Sequence, residues 1–236
     1  MRRRWTCLVV GIALASCQAG CLSLNTRSTT AQKPKEPAQL PAGDSAQLCL
    51  TVADTLATQG HLPEAIDQLR QAQQYDTKAD VDLRLARLLA RAGRDAEAVA
   101  AFERATQAHP KDASLWNDLG YHHYERGRWT AAEAALRQAV TAEAGFTKAW
   151  MNLGLTLGQQ GRYEESGDAF RKAVRPAEAE CNLAFVLATQ GKYAEARARY
   201  EAALALEPGL EAARTGLKRL EQRPKKDGRE RAERKA

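Results

Sequence analysis

Apolar residues recur every three or four positions from residue 46 to about residue 221, which is the period of amphipathic helices. The stretch LWNDLGYHHYERGRWTAAEAALRQA, from Leu115, has the same arrangement of large, small and polar positions as AWMNLGLTLGQQGRYEESGDAFRKA, from Ala149. An offset of 34 residues pairs Trp116 with Trp150, Leu119 with Leu153, Gly120 with Gly154, Gly127 with Gly161 and Leu136 with Phe170. The pattern therefore predicts a repeated unit of two helices joined by a glycine turn.

Weaker copies of the unit precede and follow these two stretches, at offsets of 34 and 33 residues toward the N-terminus and 30 residues toward the C-terminus. This period, with its fixed small and large positions, resembles the tetratricopeptide repeat over Ala46–Leu210. The resemblance implies an all-α, right-handed α-solenoid. Its five units would be 46–78, 79–112, 113–146, 147–176 and 177–210, followed by a capping helix at 211–221.

Two kinds of glycine have different predicted roles within the unit. Gly120 and Gly154, at the eighth position of their units, would let two helix backbones approach closely. Gly127 and Gly161, at the fifteenth position, would form the turn, because glycine tolerates a positive φ angle. One unit cannot bury its own apolar face, so neighbouring units must stack to form the core.

The shorter offset after the fourth unit predicts an irregularity in AVRPAEAE, where Pro176 comes three residues after Ala173. The residue before a proline is disfavoured in the α region. We therefore expect the second helix of this unit to end near Val174 or Arg175, about one turn early, and Pro176 to open the next helix.

The first residues, MRRRWTCLVVGIALASC, combine three arginines, a short apolar run and small residues before Cys17. This is typical of a secretory signal peptide, here 1–16, and LASC resembles the lipobox of bacterial lipoproteins. The resemblance implies acylation of Cys17, palmitate included; ordinary cleavage, or use of QAGC at Cys21, are the alternatives. A lipidated N-terminus and a linker rich in Ser, Thr, Gln and Pro would occupy 17–45. The implied location is the cell envelope, anchored to the outer membrane and facing the periplasm.

The formal charge of +6 is unevenly distributed along the chain. Residues 46–221 sum to −2, whereas the tail 222–236 carries +4 and is predicted to be disordered. The repeats therefore lack the basic footprint of a nucleic-acid-binding domain, and no nucleic acid is expected as a partner. The basic tail leaves open an alternative function as a structural tether that binds anionic envelope polymers.

The adjacent His122 and His123 are the most conspicuous candidate chemistry in the repeats. His123 lies at the eleventh position, where the other units have leucine and the side chain packs between helices. Neighbouring helix positions point about 100° apart, and no third ligand recurs at metal spacing. We therefore predict partly buried, hydrogen-bonded histidines and no metal site. The sequence also contains no recognisable catalytic motif or cofactor motif, so neither an enzyme nor a cofactor is expected.

In tetratricopeptide proteins the first helix of each unit lines a concave groove that binds a protein or peptide. The family positions predict these groove residues: Arg87, Arg91, Asn117, Tyr121, Tyr124, Met151, Leu155, Gln159 and Phe185. They run from cationic through aromatic to apolar, which suits a peptide that is acidic at one end. The alternative is that a terminal helix or a second, symmetry-related copy of the chain covers them. Lipobox, linker and repeats together resemble pilotins and tight-adherence (Flp) pilus-assembly lipoproteins, which implies a membrane-anchored adaptor in pilus or secretion assembly. The sequence does not predict the oligomeric state.

Overall fold

A computed structural model describes residues 40–76 and 81–222 of the chain. Within these ranges all regular secondary structure is α-helical, and eleven helices follow one another. They are α1 (Ala42–Gln59), α2 (Leu62–Tyr75), α3 (Asp82–Arg91), α4 (Asp95–Ala108), α5 (Ala113–Glu125), α6 (Trp129–Ala142), α7 (Thr147–Gln159), α8 (Tyr163–Ala173), α9 (Pro176–Thr189), α10 (Tyr193–Leu206) and α11 (Glu211–Glu221). The helices pack as consecutive pairs that stack on their neighbours, which confirms the predicted α-solenoid.

Each helix pair is joined by a short turn that contains a glycine with a positive φ angle. These glycines have φ between +69° and +88° and occupy the fifteenth position of their units: Gly60, Gly93, Gly127, Gly161 and Gly191. In the third unit the Arg128 amide donates back to the His123 carbonyl at 3.0 Å, and Arg162 repeats this bond to Leu157. The predicted turn is confirmed, and it closes each helix with a backbone hydrogen bond.

Close contact between the two helices of a unit depends on small residues at fixed positions. A Cβ atom added to Gly120 would lie 2.6 Å from Leu136 Cγ, and one added to Gly154 would lie 2.5 Å from Phe170 Cε1. Ser166 takes a position filled by alanine in the other four units, and its buried hydroxyl donates to the Gly154 carbonyl at 2.7 Å. The helices of a pair therefore interlock through a glycine on one side and a large side chain on the other.

The predicted irregularity lies where the sequence indicated. Helix α8 ends at Ala173 and has 11 residues, whereas α4, α6 and α10 have 14 each. Only Val174 and Arg175 separate it from α9, which begins at Pro176 with Arg175 as its N-cap. The proline lacks the amide hydrogen that would have continued α8, and it takes the first helical position at no cost.

One predicted boundary needs correction. The linker was predicted to extend to residue 45, but α1 begins at Ala42. Pro41 stands just before the first turn, where its fixed φ suits a helix start, and the Ser45 amide donates to the Pro41 carbonyl at 2.9 Å. The short stretch AGDS therefore belongs to the first helix. The predicted signal peptide, Cys17 and most of the basic tail lie outside the described residues.

No helix among the described residues combines the length and the apolar character needed to cross a bilayer.

Candidate functional site

The first helices of the units, α1, α3, α5, α7 and α9, contact one another across the unit boundaries. Arg84 on α3 donates to Asp54 on α1 at 2.9 Å, and Arg87 on the same helix donates to Asp118 on α5 at 2.9 Å. The Asn182 amide on α9 lies 3.7 Å from the sulfur of Met151 on α7. These helices form one continuous surface, which we call the first-helix face.

The predicted groove residues differ in how far they reach into solvent. The exposed ones are Arg87, Arg91, Tyr121 and Phe185. Those that are only half-buried are Tyr124, Met151, Leu155 and Gln159. The exposed residues thus lie on α3, α5 and α9, whereas the predicted groove residues of α7 are all half-buried.

Asn117 is not a surface residue, contrary to the prediction. Its side chain is 0% exposed, and its Oδ1 accepts a hydrogen bond of 2.8 Å from Nδ2 of Asn152, which is itself buried. This bond joins the two carboxamides between α5 and α7, where an unpaired amide would be costly, and Asn117 Nδ2 in turn donates to Asp118 Oδ1 at 3.4 Å. Asn117 therefore joins two units and does not line the groove.

A cavity of about 500 Å³ lies between α1 and α3 at the cationic end of the face. Three arginines, Arg84, Arg87 and Arg91, point into it from one side of α3. Arg84 and Arg87 are each paired with an aspartate, but within the described residues Arg91 has no ion pair and donates only to the Ala57 carbonyl, at 3.3 Å. Arg84 was missed because it does not stand at a groove position of the family.

A second cavity, of about 280 Å³, lies between α3 and α5. Arg87 and Arg91 form one wall, and Tyr121 and Glu125 form another. The nearby Glu125 carboxylate raises the pKa of Tyr121 above its usual value, so this phenol stays protonated and able to donate. Its ring stacks on Tyr124 at a centroid distance of 6.3 Å. The aromatic group is therefore held in a fixed position while one face remains open.

A third cavity, of about 270 Å³, lies between α9 and α11 at the other end of the face. Its walls are largely apolar and include Phe185, Tyr200 and Leu220, with the Arg219 side chain beside them. Phe185 is 52% exposed although α11 is its neighbour. The terminal helix lines this cavity without covering it, so the alternative of occlusion by α11 does not apply to Phe185.

Of the histidine pair, His122 is buried more deeply than predicted and His123 is partly buried, as predicted. His122 is 2% exposed and also lines the cavity between α3 and α5, whereas His123 is half-buried. His123 Nδ1 is buried without a hydrogen-bond partner in the described structure, so the expectation of a satisfied ring is wrong for this atom. Within residues 40–76 and 81–222, His, Cys, Asp and Glu side chains form no group of three that could hold a metal ion.

Three tetratricopeptide repeat family models match the chain, at residues 79–122, 117–180 and 177–210. Together they extend without a gap from residue 79 to residue 210, which is more than half of the chain. A comparison with curated proteins finds no significant match.

Solved structures share the fold at low sequence identity. A tetratricopeptide repeat protein from Parabacteroides merdae has 18% identity and a TM-score of 0.62, covering 75% of this chain and 73% of its own. MamA has 19% identity and a TM-score of 0.59, with 70% and 93% covered. YrrB, described as a TPR protein with an unusual peptide-binding site, has 21% identity and a TM-score of 0.55, with 73% and 92% covered.

Proposed function

Because the chain is a tetratricopeptide repeat protein, we propose that its first-helix face binds an extended segment of a protein partner. The segment is acidic where it meets α3 and carries an apolar or aromatic side chain where it meets α9. The observation that carries the proposal is the pair of solvent-exposed aromatic rings, Tyr121 and Phe185, on a face that also presents Arg91, which has no ion pair within the described residues. The structural similarity to YrrB supports a peptide as the ligand.

The cationic end suits a carboxylate ligand. Arginine presents a planar fork of donors that can hold both oxygens of a carboxylate. Arg91 has donors to spare, because its one protein acceptor in the described structure is a backbone carbonyl. A carboxylate placed there would also lie near Arg84 and Arg87. These two are paired with Asp54 and Asp118, so among the three arginines it is Arg91 whose charge has no ion-pair partner within the described residues.

The apolar end suits a large side chain. Burying a ring or a branched apolar group between Phe185 and Leu220 removes both surfaces from water, at about 25 cal/mol per Å² of apolar area. Exposed aromatic rings beside a concave surface are the residues that usually dominate binding free energy. Specificity would then come from the spacing between this apolar anchor and the carboxylate at α3.

A displayed library of random peptides tests this proposal, because selection from it does not require an identified partner. Selection on the chain should enrich sequences with Asp or Glu at one end and Phe, Leu or Met several residues away. For such a peptide we expect Tyr121→Ala with Phe185→Ala to weaken binding by at least about 2 kcal/mol, because both open rings are lost. Calorimetry of the double variant measures this change, and circular dichroism checks that its helix content is retained.

Tyr75→Ala is the matched control, since Tyr75 is 51% exposed but lies on α2, outside the first-helix face. It should bind the peptide like the parent chain. Arg91→Gln should reduce the preference for acidic peptides. Selection of basic peptides, or unchanged binding by the double variant, would exclude this face as the binding site.

The membrane anchor is a separate part of the proposal and rests on residues outside the described structure. The run of apolar residues followed by LASC supports acylation at Cys17 by lipoprotein processing. Stable anchoring needs more than one acyl chain, and bacterial lipoproteins carry several. An adaptor held in this way would face the periplasm at the outer membrane and present its groove to a component of a pilus or secretion complex.

We expect Cys17→Ser to release the protein from the membrane fraction, because the acylated residue is lost. Membrane fractionation followed by detection of the protein measures the release, and Cys21→Ser is the matched control, since it removes the other candidate cysteine. Release by Cys21→Ser alone would assign the anchor to Cys21.

The competing function is a structural tether, and truncation of the chain after Glu221 distinguishes this function from that of an adaptor. An adaptor keeps its peptide ligand without the basic residues 222–236, whereas a tether loses its anionic polymer.

A further inference from the structure

Asp95 is the centre of a charged cluster that joins the second unit to the third. It lies in the first turn of α4, and Arg126 and Arg128, which follow α5, both form ion pairs with its carboxylate. His122 Nε2 on α5 lies 2.9 Å from Asp95 Oδ1, but the two atoms are poorly aligned for a hydrogen bond. The contact between α4 and α5 therefore includes one carboxylate with three nitrogen-bearing neighbours, in addition to the apolar cluster that contains Phe102 and Leu119. We call this contact, with His122 and His123, the α4–α5 joint.

The two imidazoles of the joint are packed against an aromatic ring and against each other. The His122 ring contacts Phe102 at a centroid distance of 5.4 Å and His123 at 6.2 Å. Buried nitrogens without a hydrogen bond remain on both rings, Nε2 of His122 and Nδ1 of His123. A buried polar atom without a partner costs free energy, and an added proton can increase that cost. At His123 Nδ1 the proton would meet no acceptor in the described structure, and at His122 Nε2 it would face the Asp95 carboxylate, which already pairs with two guanidinium groups.

Burial is the main reason that the pKa of both histidines lies below the ordinary value. For His122 the cation Arg126 also lowers the pKa, whereas the Asp95 carboxylate, which pairs with two guanidinium groups, opposes the shift. For His123 the cation Arg128 acts in the same direction, against Glu103. The charged side chains around the joint are Arg87 and Arg91 from α3, Asp95 and Glu103 from α4, Asp118 and Glu125 from α5, and Arg126 and Arg128 from the following turn.

We propose that the α4–α5 joint is a proton-sensitive element of the solenoid: mild acid charges His122 and His123, loosens α5 from α4, and reshapes the cavity between α3 and α5. The cavity is affected directly because the His122 ring is part of its wall, beside Arg91 and Tyr121. The loosening of the joint does not depend on any ligand. Its consequence, release of a bound peptide in mild acid, rests on the proposed function.

The direction of this pH effect on the stability of the joint follows from proton linkage. An imidazole in the unfolded or opened chain takes up a proton near its ordinary pKa of about 6.5, whereas the packed ring takes it up only at lower pH. The open state therefore binds more protons as the pH falls below about 6.5, and the stability of the joint decreases there. At about pH 5.5, one unit below the ordinary value, the largest loss is about tenfold in the opening equilibrium for each imidazole. Above about pH 7.5 both forms are neutral and the effect disappears.

Hydrogen exchange of the full chain, compared at about pH 7.5 and about pH 5.5 after correction for intrinsic exchange rates, tests the joint. In the parent chain, protection of α4 and α5 should fall several-fold relative to α9 and α10 in the same molecule. In His122→Leu/His123→Leu the relative fall should disappear, because leucine occurs at both positions in α3, as Leu88 and Leu89. His123→Leu alone should remove part of it. His61→Gln is the control with an exposed histidine and should behave like the parent.

An equal loss of protection in all helices would overturn the proposal, as would an undiminished local loss in both leucine variants. Binding of a selected peptide, measured at the same two pH values, then tests the coupling. If the joint loosens but peptide affinity is unchanged, the proposed coupling to the groove is wrong, whereas the proposed proton sensitivity of the joint is confirmed. If no peptide binds at either pH, the proposed function fails while the exchange result is unaffected.

Discussion

Gly154→Leu is expected to unfold the fourth unit together with its neighbours and to lower the melting temperature strongly. The added Cβ alone would lie 2.5 Å from Phe170 Cε1 and 2.6 Å from Phe170 Cδ1. Phe170 is completely buried, so its ring has no free space into which it could move. Overpacking of this kind costs about 1–3 kcal/mol even where the surroundings adjust, and four added carbon atoms at a backbone contact should exceed that range. Gly120→Leu, against Leu136, should act in the same way.

The loss of stability should spread to the neighbouring units, because a solenoid unit is stable only when it is stacked on its neighbours. Thermal unfolding followed by circular dichroism measures the overall loss, and hydrogen exchange in α5 and α9 measures its spread. Gly145→Leu is the matched control, since an added Cβ at this glycine meets no atom within 4 Å. If Gly154→Leu melts close to the parent chain, the close packing of α7 on α8 is wrong.

Local rules predicted most of the helix framework. The turn glycines were found because a positive φ angle is strained for residues with a Cβ atom, and the recurrence at one spacing marked them. The early end of α8 followed from the shorter repeat offset together with Pro176, since a proline constrains both itself and the residue before it. Once the repeat spacing is known, such predictions need only the residues within a few positions of the one concerned.

Predictions that depended on distant parts of the chain were less successful. The family position of Asn117 indicated the correct helix face. How deeply its side chain is buried depends on Asn152, which lies 35 residues away on α7 and donates a hydrogen bond to it. The close approach of α7 and α9 was also missed: a Cβ atom on Gly158 would lie 2.5 Å from Val186. The other units have alanine or tyrosine at this position, so a lone glycine there was a signal that sequence analysis could have used.

Asn117→Ala provides the strongest test of this correction, because the two interpretations predict opposite results. If Asn117 is buried, its loss leaves the Asn152 amide without its acceptor in a site that excludes water and also leaves a small cavity. A buried polar group without a partner costs about 1–3 kcal/mol, and the cavity adds to it, so we expect about 2–3 kcal/mol of lost stability. A groove residue would instead lose peptide affinity at unchanged stability.

Denaturant unfolding of Asn117→Ala, Asn152→Ala and the double variant measures the interaction as a thermodynamic cycle. The double variant should cost clearly less than the two single costs added together, because each single change leaves one carboxamide unpaired and the double change leaves none. Asn182→Ala is the control: its side chain is half-buried on α9 and its one hydrogen bond in the described structure is a long contact to a sulfur atom, so its cost should be small. Additive costs would mean that the two amides do not depend on each other. In that case the hydrogen bond between α5 and α7 would not hold the third and fourth units together.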